Sequence, residues 1–362
     1  MKKMTVMLGL AALASGAHAQ SSVTMFGMID GGVSYVSNEG GHGNPKFDDG
    51  IYAPNLFGLR GEEDLGNGTR AVFALVNQFE TGTGQTIGNG LFARNAYVGL
   101  ENDKLGGLTF GNQYEFMVDS LFFKGNEIAM DLAGLYGMRN GPFQKLDLPD
   151  NPTGAFDWDR VAGAQPISNT VKYTSPNIHG FSGGVMYGFG NVAGSVGADN
   201  AVSAGLNYDN GPFGAGAAYT SEKYAAGDGL PATTVRNWGA GAHYVYGDFT
   251  GKVLVTTVHN SFNDAGVWSA EAGGIYQFTP AWSAGASYTY MKGNVAVGNN
   301  HASQISAALK YAFSKRTLAY LSMDYQRANS GANAQINGVL DADGASSTPT
   351  QVVARIGVQT VF

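Results

Sequence analysis

The chain has 362 residues, with 28 acidic against 21 basic side chains, a formal net charge of -7 and no cysteine. An acidic balance without any basic run excludes nucleic-acid binding, and the missing thiols exclude disulfide staples, thiolate metal sites and cysteine nucleophiles. Only 14% of residues are charged, where a soluble protein carries about 25%; the 54 glycines sit among Tyr, Phe, Val and Ala with no triplet period, a mixture suited to densely turned β-structure.

Residues 1–19 hold Lys2 and Lys3, an apolar run Met4–Ala14 and the small-x-small end Ala17-His18-Ala19, the pattern of a cleaved signal peptide. The apolar run is too short to cross a bilayer as a helix, which takes about 20 residues, and no later segment is long enough either. The mature chain, 20–362, is therefore expected to form one exported unit: a sheet protein free in the periplasm or medium, or a barrel in the outer membrane.

From Val23 the side chains alternate. Val23, Met25, Gly27, Ile29, Gly31, Val33 and Tyr35 share an apolar or glycine face, while Thr24, Phe26, Met28, Asp30, Gly32 and Ser34 share a mixed one, the period of a strand. Farther along, tight-turn signals recur at 64–68, 102–106, 176–180, 209–212, 247–248, 279–281 and 313–316. Longer polar connections alternate with them, near 38–52, 83–90, 115–166, 192–197, 226–234, 263–266, 294–301 and 331–347. Seven short turns and eight long loops require sixteen strands with both ends on the short-turn side, the plan of an antiparallel transmembrane β-barrel.

Aromatic residues gather near strand ends, as in Tyr187 with Phe189, Tyr244 with Tyr246, Tyr288 with Tyr290, Tyr311 with Phe313, and Tyr320 with Tyr325; rings so placed suit a lipid–water boundary. A soluble sandwich shows the same alternation but must fill a core between layers, and Gly214-Ala215-Gly216-Ala217-Ala218 would fill one poorly. A closed barrel pairs every backbone group laterally and needs no such core. The last strand places Val352, Ala354, Ile356, Val358, Thr360 and Phe362 on the apolar face. The competing reading is a secreted or surface β-sheet binding protein or adhesin without a channel, which would appear in the soluble fraction rather than require detergent.

Five stretches carry a resemblance: Ser22-Val23-Thr24-Met25-Phe26-Gly27, Gly58-Leu59-Arg60-Gly61-Glu62-Glu63-Asp64-Leu65-Gly66-Asn67-Gly68, Arg94-Asn95-Ala96-Tyr97-Val98-Gly99-Leu100, Asn169-Thr170-Val171-Lys172-Tyr173-Thr174-Ser175-Pro176 and Tyr311-Ala312-Phe313-Ser314-Lys315-Arg316-Thr317. In that order they resemble the general porins of Gram-negative bacteria, of the β-proteobacterial type. The resemblance implies an all-β, 16-stranded barrel with its long third loop folded into the lumen, a homotrimer, and barrel assembly guided by the C-terminal strand ending at Phe362. It implies outer-membrane lipid and lipopolysaccharide, the barrel-assembly machinery, small hydrophilic solutes and ions as partners, and passive diffusion rather than catalysis. The family usually carries arginines where this chain has Leu56 and Asn112, and a basic run where Gln359, Thr360 and Val361 stand.

A pore biases ions by fixed charges at its narrowest section. Arg60, Arg70, Arg94, Lys172 and Arg355 have the strand parity opposite to the apolar face, and a charge facing lipid would cost about 2–4 kcal/mol at the midplane. Glu115, Asp119, Glu127 and Asp131 lie in the first half of the third long connection; if it dips into the lumen as in the family, acid and base face each other across the water. The expected outcome is mild selectivity leaning to anions.

No enzyme signature survives. The histidines form no zinc-hydrolase pair, Gly251-Lys252 is followed by Val253 rather than Ser or Thr, and Gly82-Thr83-Gly84 and Gly188-Phe189-Gly190 open no helix. Ser261 near His259 is the nearest approach to a hydrolytic pair, but successive strand residues alternate faces. Asp147, Asp150, Asp157 and Asp159 lack the spacing of a calcium loop. No cofactor or metal is expected.

Overall fold

The structure, a computed structural model, describes residues 21–226, 232–336 and 344–362; the leader 1–19 lies outside them, as do parts of the loops expected near 226–234 and 331–347. The described residues contain eighteen strand segments in one antiparallel sheet. They are β1 Ser21–Glu39, β2 His42–Asp49, β3 Leu56–Gly66, β4 Thr69–Phe79, β5 Thr86–Ile87, β6 Asn95–Asn102, β7 Gly106–Gln113, β8 Ile167–Thr174 and β9 Phe181–Gly188. The remainder are β10 Ala201–Asn210, β11 Phe213–Tyr224, β12 Thr233–Tyr246, β13 Phe249–Asn260, β14 Ala265–Gln277, β15 Trp282–Gly293, β16 His301–Ala312, β17 Thr317–Ala328 and β18 Thr350–Val361.

Seventeen of these segments make the sixteen strands of the barrel wall. β2 and β3 are one strand interrupted at residues 50–55, since β1 pairs with β3 from Ser21↔Glu63 to Met28↔Leu56 and with β2 from Gly31↔Asp49 to Val36↔Asn44. β5 is a short extension that joins β4 ahead of β6. The ring closes where β1 pairs β18 from Met28↔Val361 to Val36↔Val353. At this seam the Gly27 and Phe362 amides exchange hydrogen bonds of 3.1 and 3.0 Å, and the Phe362 ring occupies the space a side chain at residue 27 would need.

Parity follows the lipid. Val23, Met25, Val33 and Tyr35 of β1 and Ile356 and Val358 of β18 stand exposed outside, while Asp30, Ser34, Val353 and Arg355 are buried inside. Aromatic pairs cross neighbouring strands near the short-turn rim, such as Phe181 with Tyr208 at 4.6 Å and Trp282 with Tyr311 at 4.7 Å between ring centres, and near the opposite rim, where Trp268 and Tyr290 are 5.6 Å apart. Tyr320, expected in this belt, instead points inward, where its hydroxyl donates to Asp30 Oδ1 at 2.6 Å. The first long connection also differs: the chain stays in strand through the polar residues beyond Val36 and reverses at Gly40-Gly41, because both faces of a strand standing beyond the bilayer are wet.

The expectation of a barrel without a buried core needs correction. Residues 114–166 fold into the lumen and build a dry core against one side of the wall: Phe116, Met117, Leu121 and Met138 with Met186, Ala218 and Leu254, and Phe143, Leu146 and Trp158 with Val258, Val267 and Met291. The Gly/Ala-rich strands are what admits them. A Cβ at Gly184 or Gly205 would strike Phe116, one at Gly216 would strike the Ser120 carbonyl, and ones at Gly239 and Gly285 would lie 2.7 Å from Leu121 and Leu132. Such close packing resists any added volume.

Candidate functional site

The inserted loop runs from a single turn at Val118–Phe122, through a short helix Ala129–Ala133, to a return limb ending at β8. Its far point reaches the interruption between β2 and β3. There the Asp30 carboxylate accepts from the Ile51 and Tyr52 amides, each at 3.0 Å, holding residues 50–55 inward. The Leu135 amide donates to the Ile51 carbonyl at 2.8 Å, and the Tyr136 hydroxyl donates to Asp48.

Acid and base meet in pairs rather than across open water, which corrects the expected opposition. Lys172 Nζ lies 2.5 Å from Asp119 and donates to the Tyr114 carbonyl at 2.7 Å, pinning the root of the loop to β8. Asp131 is held by Lys252 at 2.8 Å and Lys310 at 3.6 Å; burial alone would raise its pKa, but Lys310 and Lys252 outweigh it and hold the carboxyl below the ordinary value. Glu115 accepts from Arg160 Nε at 3.0 Å, Thr220 at 2.8 Å and the Met117 amide at 2.6 Å. Glu127 accepts from the Met130 amide at 2.7 Å and from Arg139 at 3.2 Å. Arg139 also donates to Glu271 at 2.9 Å and to Asp159, so one buried guanidinium serves three carboxylates. Burial, then the neighbouring Glu271, push Glu127 up to about 8 against the pull of Arg139. Asp157 is pushed up to about 7 by burial and by Asp159.

The other wall cations divide. Arg355 is fully buried between Asp30 at 3.0 Å and Asp48, so its charge is spent on the seam. Arg70 sits beside the short-turn rim between Asp103 at 3.0 Å and Glu62 and Glu101 at 3.6 Å. Arg60 is exposed on the lumenal face over the Phe26 ring, 5.5 Å from its centre. Arg94 is half-buried and bound only by neutral acceptors: Tyr114 Oη at 2.6 Å, Gln78 Oε1 at 3.0 Å and the Ala162 carbonyl at 3.2 Å. Arg60 and Arg94 have no carboxylate within 4.0 Å among the described residues.

Cavities are left beside the loop. A vestibule of about 940 Å³ bordered by Asp147, Asp150, Asp199 and Glu222 shares residues with a cavity of about 500 Å³. That cavity shares Gln78, Ile87 and Arg94 with a throat of about 490 Å³ between the loop and the wall carrying Tyr52, Leu56 and Gln359. Strand parity missed Arg139 and Arg160 because they lie in the loop; Lys252, Lys310, Glu222 and Glu271 do lie on strands, and their inward parity was the available signal. His259 faces Asp264 at 2.8 Å while the Ser261 hydroxyl accepts from the Thr234 amide, so the two do not form a pair.

Comparison with known proteins returns one architecture. The profile of the Gram-negative porins matches residues 5–331. An outer membrane porin protein of Bordetella pertussis is 30% identical over 65% of this chain, and the match spans 63% of that protein's length. Outer membrane porin protein 32 of Delftia acidovorans is 32% identical over 68% of this chain and 67% of its own, and major outer membrane protein P.IB of Neisseria gonorrhoeae is 29% identical over 92% and 96%. Among solved structures, an anion-selective porin from Comamonas acidovorans superposes with a TM-score of 0.78 at 22% identity, over 95% of this chain and 100% of that one. The trimer form of OmpT of Vibrio cholerae superposes at 0.67 with 13% identity, over 94% of this chain and 99% of its own.

Proposed function

The chain belongs to the Gram-negative porin family, and from that premise we propose that it is a passive outer-membrane channel for ions and small hydrophilic solutes, mildly favouring anions. It performs no chemical reaction. The observation that carries the selectivity is Arg94, a guanidinium in the throat held by neutral acceptors alone. Arg60 supports it from the lumenal wall. Glu115, Asp119, Glu127, Asp131 and Asp159 of the loop are paired with Arg160, Lys172, Arg139, Lys252 and Lys310 and contribute little free field. Asp147, Asp150 and Asp199 around the vestibule, unlike Glu222, which is paired with Arg160 at 2.8 Å, oppose anion entry, which keeps the preference mild.

The same reading takes residues 1–19 as a cleaved export signal, 20–362 as the inserted barrel, and Phe362 as part of the strand recognised by the assembly machinery. It takes the working form as a homotrimer in lipid and lipopolysaccharide. Reconstitution in planar bilayers under a KCl gradient tests it: stepwise conductance with a zero-current potential on the anion side is expected, and Arg94→Glu and Arg60→Glu should each move that potential toward cations. A potential unmoved in both variants rejects their role.

A further inference from the structure

We propose that the throat is a selective path for aromatic monocarboxylates, compounds pairing one carboxylate with one phenyl ring; this rests on the channel reading above and deepens it. The loop turns Glu115, Asp119 and Asp131 to the wall it is docked on and leaves Asp147 and Asp150 at the vestibule, while what it shows the throat is mostly apolar. Phe123 is 60% and Phe122 38% exposed, and Tyr114 and Phe123 stand edge to face at 5.6 Å, as do Phe122 and Phe123. Leu135 of the loop and Tyr52 of the opposite wall complete the lining around Arg94. Apolar rings left bare on a wet surface are what a soluble segment ordinarily buries.

The cation and the rings are parts of one surface. The Arg94 guanidinium lies 5.3 Å from the centre of the Tyr114 ring, and it uses three of its contacts on neutral acceptors. A guanidinium has five N–H donors, so donors remain for a carboxylate. The volume of about 490 Å³ is in the range of small-molecule sites, which run about 300–1,000 Å³. An apolar constriction also disfavours small, strongly hydrated ions by dewetting. A carboxylate on Arg94 with its ring against Phe122 and Phe123 gains apolar burial that acetate or chloride at the same place cannot, and offset ring contacts are favourable in their own right.

The test is the zero-current potential of the purified full-length channel in planar bilayers with sodium acetate on one side and sodium phenylacetate on the other, alongside the KCl measurement. Size and free diffusion favour acetate. The expected result is a phenylacetate permeability equal to or above that of acetate, roughly two- to tenfold higher than in Phe122→Ser/Phe123→Ser, with phenylacetate-dependent interruptions of single-channel KCl current that Arg94→Gln removes. Should the double variant fail to fold, the wild-type permeability ratio alone decides. Acetate clearly more permeant than phenylacetate, with an anion-leaning KCl potential, overturns this inference and leaves the channel reading standing. A cation-leaning KCl potential sinks the selectivity reading and this inference together.

Discussion

Replacing Arg139 by Met should release the inserted loop while leaving the barrel closed. Arg139 and its three carboxylate partners are all nearly inaccessible to water, and removing one partner of a buried ion pair costs about 3–5 kcal/mol because the remaining charge is left uncompensated. At about 1.4 kcal/mol per decade, that raises the undocked population of residues 114–166 by roughly two to three and a half decades. The wall itself is held by strand pairing that does not involve Arg139, so heat-resistant mobility on gels should persist. Single-channel conductance should rise and grow noisier, and protease should cut within 114–166 where the parent protein resists. Acid should reverse the effect. Glu127 in the docked loop lies at about 8 with Arg139 pulling it down, above its ordinary 4.5, and higher once Arg139 is gone, so docking binds a proton; this contribution is fully present below about pH 4.5 and is lost only as pH rises through that raised docked value. Raised carboxyls at Glu115 and Asp119, each shifted up first by burial, act in the same direction. Conductance, noise and proteolysis indistinguishable from the parent at pH 8.5 would refute the reasoning.

Other predictions follow from the same contacts. Arg355→Leu leaves Asp30 and Asp48 facing each other at the seam and should lower the unfolding free energy in urea by about 3–5 kcal/mol. Deleting Phe362 removes both amide bonds to Gly27 and should lower it by about 1–3 kcal/mol, seen as a reduced folded fraction after refolding into detergent. Gly205→Val places a side chain into Phe116 and Ser120 and should cost about 1–3 kcal/mol by overpacking, read as protease sensitivity of the loop rather than loss of the barrel. Arg70→Gln, in contrast to Arg94→Glu, should leave the KCl zero-current potential toward cations no more than slightly changed, since three carboxylates already surround it near the rim.

Alternation was legible in β1 and β18 because lipid demands an apolar side chain at every second position along a membrane-embedded strand, and the short turns were legible through Asn, Asp, Gly and Pro chemistry. Between Val36 and Leu56 the same signal vanishes, since a strand with water on both faces has no reason to alternate; the Gly40-Gly41 reversal and the inward break at 50–55 were hidden there. The partners of the loop were illegible for another reason. Arg139 meets Glu271 across 132 residues of sequence and Lys252 meets Asp131 across 121, and no local pattern encodes which distant carboxylate a cation will choose. The glycines of β11 were visible as poor core formers, but that glycines in β9, β10 and β12 make room for Phe116 and Leu121 depends on the loop being there.

The bracing of the lumen has a mechanical consequence. The inserted segment is tied to Asp48 and Ile51 on one side and to Lys172, Glu271 and Gln304 on others, so it acts as a spoke within a rim. Squeezing the cylinder sideways, as a change of lipid packing does, must strain those ties before it can narrow the gap beside Arg94. The inserted segment thereby stiffens the shell against lateral compression from within.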